Sequence, residues 1–157
     1  MHLRYRGAEY SGIDRAGVSS FLRLVRTIDV SAKSYMHELS IALSIVAGAS
    51  EEVERYRGSR VHAVHLKVGA LAGVVAEALL FSWDISCQGS PLEGSRLVIE
   101  EVPVTIFCSQ CQAETEAGSI QSLCCSKCGH FSSQVVCGRE LEVVALELDE
   151  VAETVVV

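Results

Sequence analysis

Apolar residues recur at helical spacing through one long stretch of the chain. Leu39, Ala42, Leu43, Val46, Ala49 or Ser50, and Val53 fall every three or four positions, and Ile41 and Ile45 widen the stripe. Glu51, Glu52, Glu54, Arg55 and Arg57 make the far half polar, and Gly58 is a natural stop. The pattern predicts an amphipathic helix of about five turns starting at Met36 and lying on something flat. Residues 60–68 then alternate. His62, Val64, Leu66 and Val68 are expected on one face of a strand, with Val61, Ala63, His65 and Lys67 on the other. On that alternation His62 and His65 do not share a ligand and read as structural or surface residues.

Residues 69–73 read as a turn, and 76–87 as a second helix with Leu79, Leu80, Trp83 and Cys87 turned to the core. Pro91 prevents its continuation. Residues 97–107 predict a second strand, in which Pro103 marks an edge, a bulge or a break. Residues 140–149 (ELEVVALELD) predict a third, whose alternation slips between Val143 and Val144, the mark of a bulge or of burial on both faces. Residues 1–35 show no sustained period. Their best local pattern, 18–26, reads as a short basic amphipathic helix within an otherwise unstructured extension.

The expected fold is therefore α+β: a small three-stranded sheet with two helices on one face. A four-cysteine zinc-ribbon module is inserted between the second and third strands. The expected units are an extension at 1–35, an α/β domain from 36–107 and 138–150, a zinc-binding domain at 108–137, and a tail at 151–157.

Charge sharpens the boundary near Tyr35. Residues 1–35 carry six Arg or Lys and three acids, a net +3, whereas 36–157 carry 7 basic and 17 acidic residues, a net −10. A body this acidic repels a phosphate backbone, so nucleic acid is not expected as a partner. The longest apolar runs are too short for a transmembrane helix, so no membrane association is expected.

The chain has 7 cysteines, an odd number, with no secretory signal of the usual form. Cys108-Ser-Gln-Cys111, a spacer of thirteen residues, and Cys125-Ser-Lys-Cys128-Gly129 read as two metal-binding knuckles in a reducing compartment. Each Cys-x-x-Cys turn supplies two thiolates, and two such turns complete the tetrahedron that zinc prefers. The module is too poor in apolar residues to fold by burial, since Phe107, Ile120, Leu123 and Phe131 are nearly all it has. Zinc is expected to stabilise it structurally, and four thiolates leave no open position for catalysis. Cys124 competes on paper with Cys125, which is favoured by spacing and by Gly129. Cys87 reads as a small core residue; Cys137 and His130 carry no assignment.

Met36-His37-Glu38 opens the first helix. One reading is an accident of a helix start, with Ser34 as N-cap and Glu38 as an acid in the first turn. The other is chemical. A free amine, the amide nitrogen of a second-position His and its imidazole chelate one metal ion, and a further amide closes a square plane. That geometry selects Ni(II) or Cu(II) over zinc.

The triplet is followed by HLKVGALAGV, ALLFSWDIS, LVIEEVP, the two cysteine pairs and GRELEVVALELDE. Together these segments resemble the hydrogenase nickel-incorporation family HypA, with its relative HybF, from residue 36 to about 150. The resemblance implies a nickel metallochaperone and not an enzyme, with transient Ni(2+) and structural Zn(2+). The nickel ligands it implies are His37 with backbone nitrogens of Met36 and Glu38, and the zinc ligands are Cys108, Cys111, Cys125 and Cys128. It implies a HypB-type GTPase and the large subunit of a [NiFe]-hydrogenase as partners, in some relatives urease maturation proteins, and a cytoplasmic setting. A weak homodimer also fits. It also implies Met36 as the first residue, with 1–35 read from an upstream in-frame start. Met1-His2 repeats the amine-amide-imidazole set, followed by Leu3 in place of Glu.

Two positions depart from the family pattern. Val75 stands where some members carry an acidic nickel contact near the second helix, with Glu77 two residues on, and Ser126 replaces a common Pro in the second knuckle. The alternative reading is a zinc-ribbon interaction or nucleic-acid-binding module without nickel. Against that, the module sets Glu114 and Glu116 beside the single Lys127 and has no basic stripe interleaved with aromatics. No Ser/His/Asp set or phosphate loop supports an enzyme.

Overall fold

The computed structural model describes residues 9–13, 19–29, 38–55 and 59–149. In chain order these form β1 (Glu9–Ile13), β2 (Ser19–Asp29), α1 (Glu38–Val53), β3 (Val61–Gly69), α2 (Ala76–Cys87), β4 (Arg96–Val102), β5 (Thr105–Cys108), β6 (Ala113–Glu116), β7 (Val135–Cys137) and β8 (Leu141–Asp149). Two sheets result, with strand orders β1-β2-β8-β3-β4 and β6-β5-β7.

The larger sheet is mixed. β3 runs parallel to β4, with Val64 opposite Leu97 and Leu66 opposite Ile99, and antiparallel to β8. A parallel pair needs a crossover, and α2 supplies it. α1 and α2 share one apolar core with the sheet: Ile41, Ile45 and Val53 of α1, Leu79 and Trp83 of α2, Val64 and Leu66 of β3, Leu97 of β4, and Leu146 of β8. Trp83 satisfies its indole by donating from Nε1 to the Ser95 carbonyl at 3.0 Å.

Within α1 the buried stripe is rotated from the expected one, and α2 keeps most of its expected face. α1 buries Ile41, Ala42, Ile45, Val46, Ala49 and Val53, while Leu39 and Leu43 are 45% and 50% exposed. Its apolar arc is wider than one side can bury. Ala42 and Ala49, fully buried, let the backbone come close to its neighbours, which fixes the rotation. In α2 Leu79, Trp83, Ser86 and Cys87 are buried, and Leu80 is 46% exposed.

The sheet has five strands where three were expected. β2 lies antiparallel along β8, with Phe21 opposite Leu148 and Leu24 opposite Ala145, and β1 pairs with β2. Residues 18–26 therefore fall largely in a strand, not a helix. β8 has a second edge of unpaired N–H and C=O groups, and backbone pairing with β2 satisfies it. Val25, Thr27 and Ile28 in β2 are β-branched and suit a strand.

The expected strand at 97–107 is two. β4 ends at Val102, Pro103 and Val104 break the ladder, and β5 starts a new sheet. The slip at Val144 is a bulge: His65 pairs with Ala145 and Leu66 with Val143, so Val144 is the extra residue.

A second register shift, between Val61 and Ala63, corrects the expected faces of β3. Val61 joins Val64, Leu66 and Val68 in the core. His62 and His65 both come to the helix-free face, because their partners Asp149 and Glu147 sit two apart on β8. His65 Nε2 lies 2.8 Å from Glu147 Oε1, and Arg96 donates to the other oxygen of Glu147 at 2.7 Å. His62 is hydrogen-bonded to Asp149. The imidazoles are thus engaged in carboxylate pairs.

The two sheets meet backbone to backbone. Leu71 N donates to Gly138 O at 2.7 Å, Gly69 N to Glu140 O at 2.7 Å, and Ala70 N to Val102 O at 3.0 Å. The turn after β3 thereby grips both strands of chain that lead into and out of the cysteine module. The Leu71 side chain packs against the small core of that module, formed by Val104, Ile106, Cys108 and Cys125.

Candidate metal centre

Both cysteine pairs sit in tight turns that strand pairing holds still. Cys108 ends β5 and pairs with Ala113 of β6, so the first knuckle is the turn of a hairpin. Cys111 N donates to Cys108 Sγ at 3.4 Å, and Gln112 takes a left-handed φ of 52° to leave the turn. The second knuckle repeats this. Lys127 N donates to Cys125 Sγ at 3.4 Å, and Gly129, at φ 72°, makes the exit at no steric cost. An isolated bridge from Ala117 to Cys125 ties this turn to the end of the first hairpin, and one from Cys124 to Phe131 closes the turn on itself.

The four sulfurs of Cys108, Cys111, Cys125 and Cys128 lie within 4.8 Å of one another. Cys108 Sγ is 3.6 Å from Cys128 Sγ, and Cys111 Sγ is 3.9 Å from Cys125 Sγ. A tetrahedron with metal–sulfur bonds of about 2.3 Å has edges of about 3.8 Å. The residues therefore fit one four-coordinate soft or borderline ion, and protein donors fill all four positions. Cys108 and Cys125 are buried, Cys111 is half-buried and Cys128 is exposed.

The sulfurs are not electrostatically alike. The Thr115 hydroxyl donates to Cys125 Sγ at 3.3 Å and, as the largest cause, lowers that thiol to about 6. Cys111, which shares a proton first of all with Cys128, is pushed up to about 12. Thr115 carried no signal as a candidate in the motif reading. Its position did carry one: between Glu114 and Glu116 of β6, both exposed, period-two alternation turns it inward.

Cys124 stays outside the cluster, its thiol donating to the Ser122 carbonyl at 3.3 Å. Cys87 is a core residue of α2, and burial pushes its thiol up to about 11. Cys137 lies on β7, half-buried. The His130 side chain is exposed, while its backbone contributes a hydrogen bond to Cys128. Around the centre Glu114, Glu116 and Lys127 are all exposed.

Of the three residues in the nickel triplet, Met36 and His37 lie outside the described residues, and Glu38 is the half-buried first residue of α1. Val75 is the N-cap of α2, 57% exposed and without a side-chain cap, and Glu77 is exposed in the first turn. Among the described residues no helix is long and apolar enough to cross a membrane.

Comparison with known proteins bears on the same segment. The profile of the family described as "Hydrogenase/urease nickel incorporation, metallochaperone, hypA" matches residues 36–148. The hydrogenase maturation factor HypA of Chloroflexus aurantiacus is 52% identical over 112 residues, covering 71% of this chain and 98% of the relative. That of Streptomyces avermitilis is 36% identical over 116 residues, covering 73% and 88%. Two solved structures share the fold at 19% identity. A solution structure of a HypA protein superposes with a TM-score of 0.53 over 73% of this chain and 98% of its own. The Ni metallochaperone HypA from Helicobacter pylori gives 0.50 over 71% and 96%.

Proposed function

This chain belongs to the HypA family of hydrogenase and urease nickel-incorporation metallochaperones, and on that premise we propose that it carries Ni(II) to a [NiFe]-hydrogenase during its maturation. The observation that carries this reading is the match over residues 36–148, which opens at Met36-His37-Glu38 and takes in both cysteine pairs. The protein acts as a carrier and not as an enzyme. Its partners are a HypB-type GTPase and the hydrogenase large subunit, its setting is the cytoplasm, and urease maturation is a further route for the same cargo.

Two metals have separate places in this proposal. Zinc occupies the four-cysteine cluster and holds the module folded, in keeping with the thiolate donors and their tetrahedral spacing. Nickel is cargo. The His37 imidazole is its side-chain ligand, with the amide nitrogens of His37 and Glu38 and, where the chain starts at Met36, that residue's amine. Four nitrogens in a plane suit Ni(II) and disfavour zinc. The amide ligands must lose protons, so nickel affinity is expected to fall as pH drops below neutral.

Titration calorimetry with nickel on the zinc-loaded protein tests this. The His37→Ala chain is expected to lose the nickel isotherm and keep one zinc, with His2→Ala as the control for Met1-His2. A chain beginning at Met36 is expected to bind nickel more tightly than residues 1–157. Unchanged nickel affinity in His37→Ala would overturn the ligand assignment.

A further inference from the structure

Resting on the zinc reading of the cysteine cluster, we propose that Thr115 is a positioning residue of that site, whose hydroxyl pins the Cys125 sulfur and sets how slowly the ion leaves. Thr115 is 6% exposed and stands opposite the fully buried Ile106 in the β5–β6 ladder. A hydroxyl in such surroundings needs a partner, and the acceptor the fold gives it is Cys125 Sγ at 3.3 Å.

The connectivity gives that bond its consequence. Thr115 belongs to the hairpin whose turn carries Cys108 and Cys111, whereas Cys125 belongs to the second knuckle. The bond ties one half of the cluster to the other independently of the ion. Cys125 Sγ also accepts from Lys127 N at 3.4 Å, so this one sulfur takes a side-chain and a backbone donor. Four thiolates around a divalent ion carry a net negative charge in an already acidic chain, and donors to sulfur offset it. Buried and held by a donor from the other half of the cluster, Cys125 is the anchored ligand, in contrast to the exposed Cys128.

The test uses the zinc-loaded full chain and the variants Thr115→Val, Thr115→Ser and Thr115→Ala. Zinc transfer to a chromogenic chelator is timed, and alkylation by iodoacetamide is followed at each cysteine by mass spectrometry. Thr115→Val, which keeps the shape, is expected to release zinc about tenfold faster or more. It is also expected to bring forward the alkylation of Cys125 relative to the wild type. Thr115→Ser is expected to restore the wild-type rate within about twofold. Should Val disturb β6, the Ser and Ala variants, which differ only by the hydroxyl, give the same comparison: Ser slow, Ala fast. Equal release by the wild type and Thr115→Val, or by Ser and Ala, overturns the proposal. A wild-type chain that holds no zinc removes the underlying reading as well, and zinc stoichiometry measured beforehand separates the two failures.

Discussion

At the scale of single residues, identical side chains do different work because their surroundings differ. Cys87 and Cys125 are both buried thiols, at 1% and 3% exposure. Burial pushes Cys87 up to about 11, whereas the Thr115 hydroxyl leads the groups that lower Cys125 to about 6. Cys87 is therefore a neutral thiol throughout the physiological range and a packing residue. Its folded pKa lies above its ordinary value, so the stability it contributes is fully present below pH 9 and is lost as pH rises through about 11. Cys87→Ala is expected to lower the denaturant midpoint at pH 8, with the gap to wild type closing by pH 11. A gap that stays constant over that range would show that the thiol's ionisation is not linked to folding.

At the scale of elements, the sequence pattern located both helices and most of their buried residues, and missed that Leu39, Leu43 and Leu80 stay outside the core. α1 offers apolar residues around more than half its circumference, and the fully buried Ala42, Ala49 and Ile45 decide the contact. Ile45→Ala is expected to destabilise the fold by about 2–5 kcal/mol, since it opens a cavity in a close-packed core. Leu43→Ala, at a half-exposed position, is expected to cost about 0.5 kcal/mol or less. Urea unfolding of the two variants side by side checks this, and equal losses would return the stripe to the orientation expected from the sequence. The strands show the same division. The irregularity at Val144 was legible as a slip in alternation, because adjacent apolar residues in a strand mark a bulge or burial on both faces. The shift between Val61 and Ala63 that brings His62 and His65 to one face was not legible, because Val-His-Ala-Val-His satisfies either phase.

At the scale of the whole molecule, the junction between the two sheets is set by glycine. A Cβ on Gly69 would stand 2.2 Å from the Gly138 carbonyl carbon, and one on Gly138, at φ 112°, 2.9 Å from Val104 Cα. These contacts are with backbone, so no side-chain movement relieves them. Gly69→Ala is expected to lower stability by about 1–3 kcal/mol and to loosen the hold on the cysteine module. Thermal unfolding and the rate of zinc loss should therefore worsen together. Lower stability with unchanged zinc loss would mean that the module keeps its ion without help from the turn after β3. That turn matters because Leu71 reaches from it into the core that contains Cys108 and Cys125.

The sequence by itself determined the chemistry that is local. Two Cys-x-x-Cys turns place their sulfurs through a few backbone angles each, so spacing alone identified Cys108, Cys111, Cys125 and Cys128, and Gly129 at the exit of the second turn. It also determined the order helix, strand, helix, strand, cysteine module, strand from residue 38 onward, and marked an irregularity at Pro103, because periodicity and a missing N–H are properties of short segments. Tertiary structure decided what depends on a distant partner. β2 and β1 extend the sheet because β8 has an edge to satisfy, a demand written in backbone groups that every sequence shares. Thr115 meets Cys125, and Leu71 meets the module, only once the two hairpins and the turn after β3 are packed together. Contacts between segments far apart in the chain leave no periodic trace, and they are what fix the geometry of this four-cysteine cluster.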